Sequence, residues 1–209
     1  ADRHYCARLN TNRVVCWGWG PYGQQGNGTT ADNNGAVYVH NKDNGSCTAA
    51  DQSGCLADIV EVSAGAWTTC ARDTSGYAYC WGYNANYQLG NGGTTQQAWP
   101  YRIIDNGNAI EGGSDGVLNT VVSISAGDRQ SGAVLANGRF VRWGLREEYQ
   151  TYATVPEVKW DAHNDFVKTE VGSLNVFVFR ADGSVRGHGI NSYGGLGVGT
   201  AGSYYDWSN

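Results

Sequence analysis

The stretch from Cys70 to Gly92 reads CARDTSGYAYCWGYNANYQLGNG, and three other segments repeat its skeleton. The other copies begin at Cys6 (CARLNTNRVVCWGWGPYGQQGNG), Gly132 (GAVLANGRFVRWG) and Phe177 (FVFRADGSVRGHGINSYGGLGVG), so the starts lie 64, 62 and 45 residues apart. A skeleton that recurs along a chain indicates similar units that bury their apolar faces against one another. We therefore predict four repeats within a single domain over residues 1–209, with approximate bounds 1–58, 59–119, 120–167 and 168–209.

Each copy predicts a β-hairpin closed by a three-residue loop. The loops are NTN, TSG, ANG and ADG, with apolar-rich segments on both sides. The third loop residue is in each case Gly or Asn, the types that best tolerate positive φ: Asn12, Gly76, Gly138 and Gly183. Such a hairpin places Cys6 opposite Cys16 and Cys70 opposite Cys80, as cross-strand neighbours close enough to form disulfides.

A third cysteine pair, Cys47 and Cys55, lies in a polar insert after the first repeat and is predicted to close a small loop. A metal site is the alternative for the hairpin cysteines. Pairs ten residues apart with no neighbouring histidine do not match zinc-ligand spacing, so we predict no metal. The run DNNG and residues 105–116 carry oxygen ligands, but neither has the alternating positions of a calcium loop, and no cofactor is predicted.

A Trp-Gly doublet follows the second strand of each predicted hairpin, with His in place of Trp in the fourth copy. We interpret the first member of each doublet as a residue that packs repeat against repeat: Trp17, Trp81, Trp143 and His188. The less regular tryptophans and three tyrosines are candidates for an aromatic contact face, although a core role fits most of them at least as well. These residues are Trp19, Trp67, Trp99, Trp160 and Trp207 with Tyr22, Tyr83 and Tyr87.

The segments VEVSAGAWTTCA (residues 60–71) and VSISAGDRQSGAV (residues 122–134), followed by the Trp-Gly doublet and YNANYQLGNGGTT, resemble repeats of the regulator of chromosome condensation family. The resemblance fades in the third copy after Trp143, where LREEYQTYATVP replaces the glycine-rich run. It implies a β-propeller whose blades are four-stranded antiparallel sheets. The 31 glycines, three prolines and lack of long helical periodicity predict an all-β chain. With four copies of the repeat, the resemblance implies an incomplete or small propeller of about four blades.

The cysteine content predicts an oxidising compartment, because cytosolic thiols are kept reduced. We therefore expect a secreted, extracellular or cell-surface protein, and no apolar run has the length of a transmembrane segment. Asn27 and Asn44 begin Asn-Gly-Thr and Asn-Gly-Ser sequons and are possible glycosylation sites. A net charge of −5 with only three lysines leaves no basic patch for phosphates, so nucleic acid is not an expected partner.

No nucleophile elbow, phosphate loop or zinc-protease motif is present, so the chain is predicted not to be an enzyme. The family resemblance also implies nucleotide exchange on a small GTPase, a nuclear role that the cysteines disfavour. The predicted function is a structural or interaction protein that assembles with copies of itself into an oligomer or filament through open blade edges. A closed four-bladed ring or a fragment of a longer propeller are alternatives to the open assembly. A secreted carbohydrate-binding or protein-binding module, lectin-like or enzyme-inhibiting, is the alternative function.

Overall fold

The computed structural model of the chain describes residues 3–42, 47–105, 116–146, 150–160 and 163–208. These residues form four antiparallel sheets that follow one another along the sequence, and they contain no helix. The predicted all-β, propeller-like array of four blades is thus confirmed. None of the described segments is a helix of the length and apolar character needed to cross a membrane.

The first blade has three strands in the order β1-β2-β3, and the second has four in the order β4-β5-β6-β7. The strands of the first blade are β1 (His4–Arg8), β2 (Val14–Gly18) and β3 (Asn33–Tyr38). Those of the second are β4 (Ile59–Ala64), β5 (Thr68–Asp73), β6 (Ala78–Gly82) and β7 (Gln97–Arg102). The first blade therefore lacks, among described residues, the strand that β4 supplies to the second.

The third and fourth blades each have four strands, paired in the orders β11-β10-β9-β8 and β12-β13-β14-β15. The third blade contains β8 (Val121–Ala126), β9 (Gln130–Leu135), β10 (Phe140–Arg146) and β11 (Thr151–Lys159). The fourth contains β12 (Phe166–Val171), β13 (Asn175–Arg180), β14 (Val185–Asn191) and β15 (Gly202–Ser208).

The hairpin loops adopt the predicted left-handed conformation at their third residue. The φ angles are 57° at Asn12, 83° at Gly76, 78° at Gly138 and 88° at Gly183. This loop fixes the register of the flanking strands, so Cys6 lies opposite Cys16 and Cys70 opposite Cys80.

The glycine of each Trp-Gly doublet lies at a bulge between the second strand of its hairpin and the strand that follows it, that is between β2 and β3, β6 and β7, or β10 and β11. At Gly82 the φ angle is 106°, and a Cβ would lie 2.5 Å from the carbonyl oxygen of Trp67. At Gly144 the φ angle is 96°, and a Cβ would lie 2.5 Å from the carbonyl oxygen of Arg129. Only glycine combines a positive φ with this close backbone approach, which explains why the doublet recurs.

Neighbouring blades pack through their innermost strands, β4, β8 and β12. Ser63 Oγ accepts the backbone N–H of Ala126 at 3.0 Å, and Ser125 Oγ accepts that of Val171 at 2.8 Å. Each inner strand is thereby bonded to the next through a side chain. Within the described chain no strand of the first blade packs on the fourth, so the array does not close into a ring.

Candidate functional site

The seam between blades is built around one backbone carbonyl in the loop that follows each Trp-Gly doublet. At the first seam the carbonyl oxygen of Gln24 accepts Trp81 Nε1–H at 2.9 Å and the Thr69 hydroxyl at 2.8 Å. At the second seam the carbonyl oxygen of Gln88 accepts Trp143 Nε1–H at 2.8 Å and the Ser131 hydroxyl at 3.0 Å. The same two-donor arrangement therefore joins the second blade to the first and the third blade to the second.

The groups in both arrangements are buried: Trp81 and Gln24 are 0% exposed, and Trp143 and Gln88 are 1% and 0% exposed. A buried carbonyl needs a donor, because leaving it unbonded costs about 1–3 kcal/mol. The sequence indicated the tryptophans through their repetition. It offered a weaker signal for Gln24 and Gln88, which lie 18 residues after Cys6 and Cys70.

A glycine two residues beyond the carbonyl makes room for each indole. A Cβ on Gly26 would lie 2.7 Å from Trp81 Nε1, and a Cβ on Gly90 would lie 3.0 Å from Trp143 Cδ1. Their φ angles are 69° and 65°, so the loop needs glycine for its conformation as well as for the contact. We call the loop carbonyl and this glycine the indole slot.

The third seam is built differently, because the third repeat lacks the glycine-rich loop. His188 takes the place of tryptophan, is 8% exposed, and meets the Trp160 ring edge-on at 6.2 Å. Trp160 also contacts Phe140 and Phe166, with ring centroids 5.7 and 5.8 Å away. The sequence placed Trp160 only among the less regular tryptophans that could form an aromatic contact face, since nothing in the repeat pattern marks it for a seam.

The first tryptophan of the series, Trp17, has a different environment from Trp81 and Trp143. It is half-buried and stacks on Tyr5 at 6.0 Å, and Tyr5 is 51% exposed. Tyr5 precedes Cys6 just as Thr69 precedes Cys70. Tyr5 and Trp17 therefore occupy the positions at which the second blade forms its seam with the first. Among described residues no hydrogen bond reaches the indole N–H of Trp17.

The inner strand of the fourth blade is also uncovered. Val167 is 49% exposed, and the Lys168 and Glu170 side chains, each 55% exposed, pair with each other at 2.7 Å. Glu170 lies two residues before Gly172, as Ser63 lies two before Gly65, and Ser63 bonds the following blade. Both ends of the described array thus present the groups that form seams elsewhere in it.

Disulfides connect the strands of the first two hairpins and stiffen the first insert. The bonds are Cys6–Cys16, Cys70–Cys80 and Cys47–Cys55, with Cα atoms 4.1, 4.1 and 4.8 Å apart. In the third hairpin Gly132 and Arg142 stand opposite each other instead. Arg142, 4% exposed, pairs there with Glu157 of β11 at 3.6 Å.

Four half-exposed aromatic rings meet on one surface where the first two blades join. Tyr22 lies 5.2 Å from Trp19, 6.0 Å from Trp67 and 4.7 Å from Tyr83, measured between ring centroids. The Arg3 guanidinium lies over the Trp19 ring at 5.4 Å. We call these five residues the aromatic patch.

The buried His4 belongs to the first seam. Its Nε2 lies 2.8 Å from the Thr69 hydroxyl, which in turn donates to the Gln24 carbonyl. Burial lowers the pKa of His4 from 6.5 to about 4, because the imidazolium ion is poorly solvated there. His4 is therefore neutral at physiological pH.

Of the two sequons, Asn44 falls outside the described residues. Asn27 is half-buried, and its Oδ1 accepts hydrogen bonds from the backbone N–H and the hydroxyl of Thr29. Across the described ranges no group of three or more histidine, cysteine, aspartate or glutamate side chains is placed to hold a metal ion.

Comparison with known proteins gives matches in sequence and in fold. Two profiles described as regulator of chromosome condensation (RCC1) repeat match residues 2–24 and 59–88 and residues 75–134. The ultraviolet-B receptor UVR8 of Arabidopsis thaliana is 27% identical over 204 residues, which are 94% of this chain and 41% of the receptor.

Two solved structures share the fold at low sequence identity. Human WBSCR16 has a TM-score of 0.72 at 19% identity, with 99% of this chain and 49% of that chain covered. Prp20p of Saccharomyces cerevisiae has a TM-score of 0.72 at 15% identity, with 99% and 48% covered. The chain thus spans less than half the length of these relatives.

The repeat matches cover the first hairpin and residues 59–134, and the Trp-Gly bulge and indole slot recur in the structure. The chain is an RCC1-like repeat protein of the β-propeller type that contains disulfides.

Proposed function

We propose that the chain is an extracellular, non-enzymatic structural or interaction protein that self-associates into an oligomer or filament through its open blade faces. The observation that carries this proposal is the environment of Trp17 and Tyr5. Trp17 is equivalent to Trp81 and Tyr5 to Thr69, the two residues that form the first seam. Trp17 is nevertheless only half-buried, and Tyr5 is exposed. A tryptophan kept at a packing position and left partly in water is typical of a contact surface.

Protein partners suit this type of fold. The structure of Prp20p was described with its binding properties to Gsp1p and histones, and yeast RCC1 (Prp20) has been solved with Kap60 bound. Gsp1p, the histones and Kap60 are partners of the yeast protein. What this chain shares with the yeast protein is the blade architecture, which presents large surfaces without requiring chemistry at any of them.

The extracellular placement rests on the disulfides. Cys16, Cys70 and Cys80 are completely buried, and all six cysteines are paired. Bonds of this kind persist in oxidising compartments and are rare where thiols are kept reduced. Glycosylation at Asn27 or Asn44 would agree with such a location and belongs to the proposal.

Light scattering and electron microscopy of the purified chain at increasing concentration test the self-association. We expect species larger than the 22.4 kDa monomer, growing with concentration, and open linear particles if the contact does not close on itself. A well-folded, monodisperse monomer at every concentration would refute the proposed assembly.

A second candidate function, a carbohydrate-binding or protein-binding module, is favoured by the aromatic patch. Indole and phenol rings that keep one face in water are suited to stacking on a sugar ring or a side chain. A glycan array followed by titration of any hit into the Trp67→Ala chain would test it. Binding that survives this substitution, or an array without hits, would remove the aromatic patch as a glycan site.

A further inference from the structure

The fourth blade carries a third copy of the loop that forms the indole slot, with the same turns already formed. The N–H of Gly194 donates to the carbonyl of Asn191 at 3.0 Å, and that of Gly197 to the carbonyl of Gly194 at 2.9 Å. In the second blade, Tyr87 and Gly90 repeat both bonds at 3.0 Å. The two consecutive turns therefore have the same hydrogen bonding in both blades.

The side chain that organises the loop is also the same. Asn191 Oδ1 accepts the N–H of Leu196 at 2.9 Å, as Asn84 Oδ1 accepts that of Leu89 at 3.0 Å. The φ angle of Gly197 is 70°, beside 65° at Gly90. Leu196 is 2% exposed, so the loop is anchored to its own blade.

What differs is the outer side of the loop. A Cβ on Gly90 would touch the Trp143 ring, whereas a Cβ on Gly197 would meet no described atom beyond its chain neighbours within 4 Å. Gly195, at the position of Gln88, and Gly197 are exposed, while Gln88 and Gly90 are buried under the next blade. Tyr193 in the same loop is 99% exposed.

We propose that the Gly195 carbonyl and Gly197 form an indole slot that binds Trp17 of a second copy of this chain. The proposal rests on the self-association proposed above and names its contact. Two slots in the same molecule hold the tryptophan of the following Trp-Gly doublet, with the indole N–H on the loop carbonyl. Trp17 belongs to such a doublet and meets no slot among the described residues.

The contact joins unlike surfaces, a slot on one copy and a tryptophan on the next. A chain of copies therefore keeps one unused slot at one end and one unused tryptophan at the other. Such a heterologous contact propagates. It also allows a complementation test, because loss of either surface should stop growth and leave the other surface intact.

The test uses two single variants of the full chain. Trp17→Ala removes the inserted indole and keeps the slot, whereas Gly197→Asn fills the slot and keeps Trp17. Asparagine is chosen because it tolerates the left-handed conformation of Gly197. By light scattering we expect each variant to self-associate at least about 30-fold more weakly than the unmodified chain, as for a buried interfacial tryptophan. Mixed together, the two should form a 1:1 pair and nothing longer.

Gly183→Asn is the matched control. Its φ is 88°, and a Cβ there would meet no described atom beyond its chain neighbours within 4 Å. Asn12 already occupies the same turn position in the first hairpin, at a φ of 57°. This variant should assemble like the unmodified chain. Formation of the mixed pair shows that both partners are folded.

Three results would overturn the proposal. If the unmodified chain assembles and Trp17→Ala or Gly197→Asn assembles equally well, the slot contact is wrong and self-association stands. If the two variants are monomeric but do not pair when mixed, the head-to-tail contact is wrong. If the unmodified chain stays monomeric, self-association itself fails, and the assignment of Trp17 as the occupant fails with it.

Discussion

Substitution of the two donors to the Gln88 carbonyl would test whether one backbone group stabilises the seam between the second and third blades. The carbonyl receives two hydrogen bonds across the seam, from Trp143 Nε1 at 2.8 Å and from Ser131 Oγ at 3.0 Å. Removing one donor leaves the carbonyl bonded, but removing both leaves it buried without a donor. We therefore predict that Trp143→Phe and Ser131→Ala are more than additive in their effect on stability.

The magnitudes follow from the contacts. Ser131→Ala removes one hydrogen bond, worth about 1 kcal/mol. Trp143→Phe removes a similar bond and roughly 40 Å³ of side chain, which adds about 1 kcal/mol for the cavity, giving about 2 kcal/mol. The double variant adds the desolvation penalty of the orphaned carbonyl, so it should lose about 1–2 kcal/mol more than the sum of the single losses.

Urea unfolding at neutral pH with the disulfides intact measures these free energies, provided that the dependence on urea stays the same among the variants. The control pairs Trp143→Phe with Thr69→Val, which acts on the Gln24 carbonyl and shares no partner with Trp143, so that pair should be additive. Additivity of Trp143→Phe with Ser131→Ala, within about 0.5 kcal/mol, would refute the two-donor reasoning.

Three further predictions concern the disulfides and the first seam. Peptide mapping without reductant should find only Cys6–Cys16, Cys47–Cys55 and Cys70–Cys80, and a Cys16–Cys70 link would contradict the hairpin register. Reduction should speed amide hydrogen exchange more in β5 and β6 than in β9 and β10, because only the first of these hairpins loses a disulfide, worth about 2–3 kcal/mol. Equal acceleration in the two hairpins would contradict this prediction. Burial lowers the pKa of His4 to about 4, so as the pH falls the imidazole is protonated in the unfolded chain before it is protonated in the folded one. Up to about 3 kcal/mol of stability that is present above pH 6.5 should therefore be lost as the pH falls towards 4. His4→Gln should flatten this part of the stability profile, and an unchanged profile would show that His4 is not responsible.

The sequence alone determined the repeat, the hairpins and the all-β class. These follow from local chemistry: a loop that ends in glycine or asparagine sets the strand register, and that register brings Cys6 to Cys16. The Trp-Gly doublet was visible as a pattern. Its cause, a bulge at which the backbone of the preceding strand excludes any Cβ from Gly82, was not.

The tertiary structure decided which groups meet across the blades. Gln24 and Gln88 act through backbone carbonyls, which every residue has, so their side chains gave no reason to select them. Trp160 fills the third seam from outside the repeat pattern, because the loss of the glycine-rich loop left that seam to other apolar side chains. Trp17, Trp81 and Trp143 are equivalent in sequence and differ only in what lies against them. Partners that are far apart along the chain are set by how the blades stack, and no local pattern contains that information.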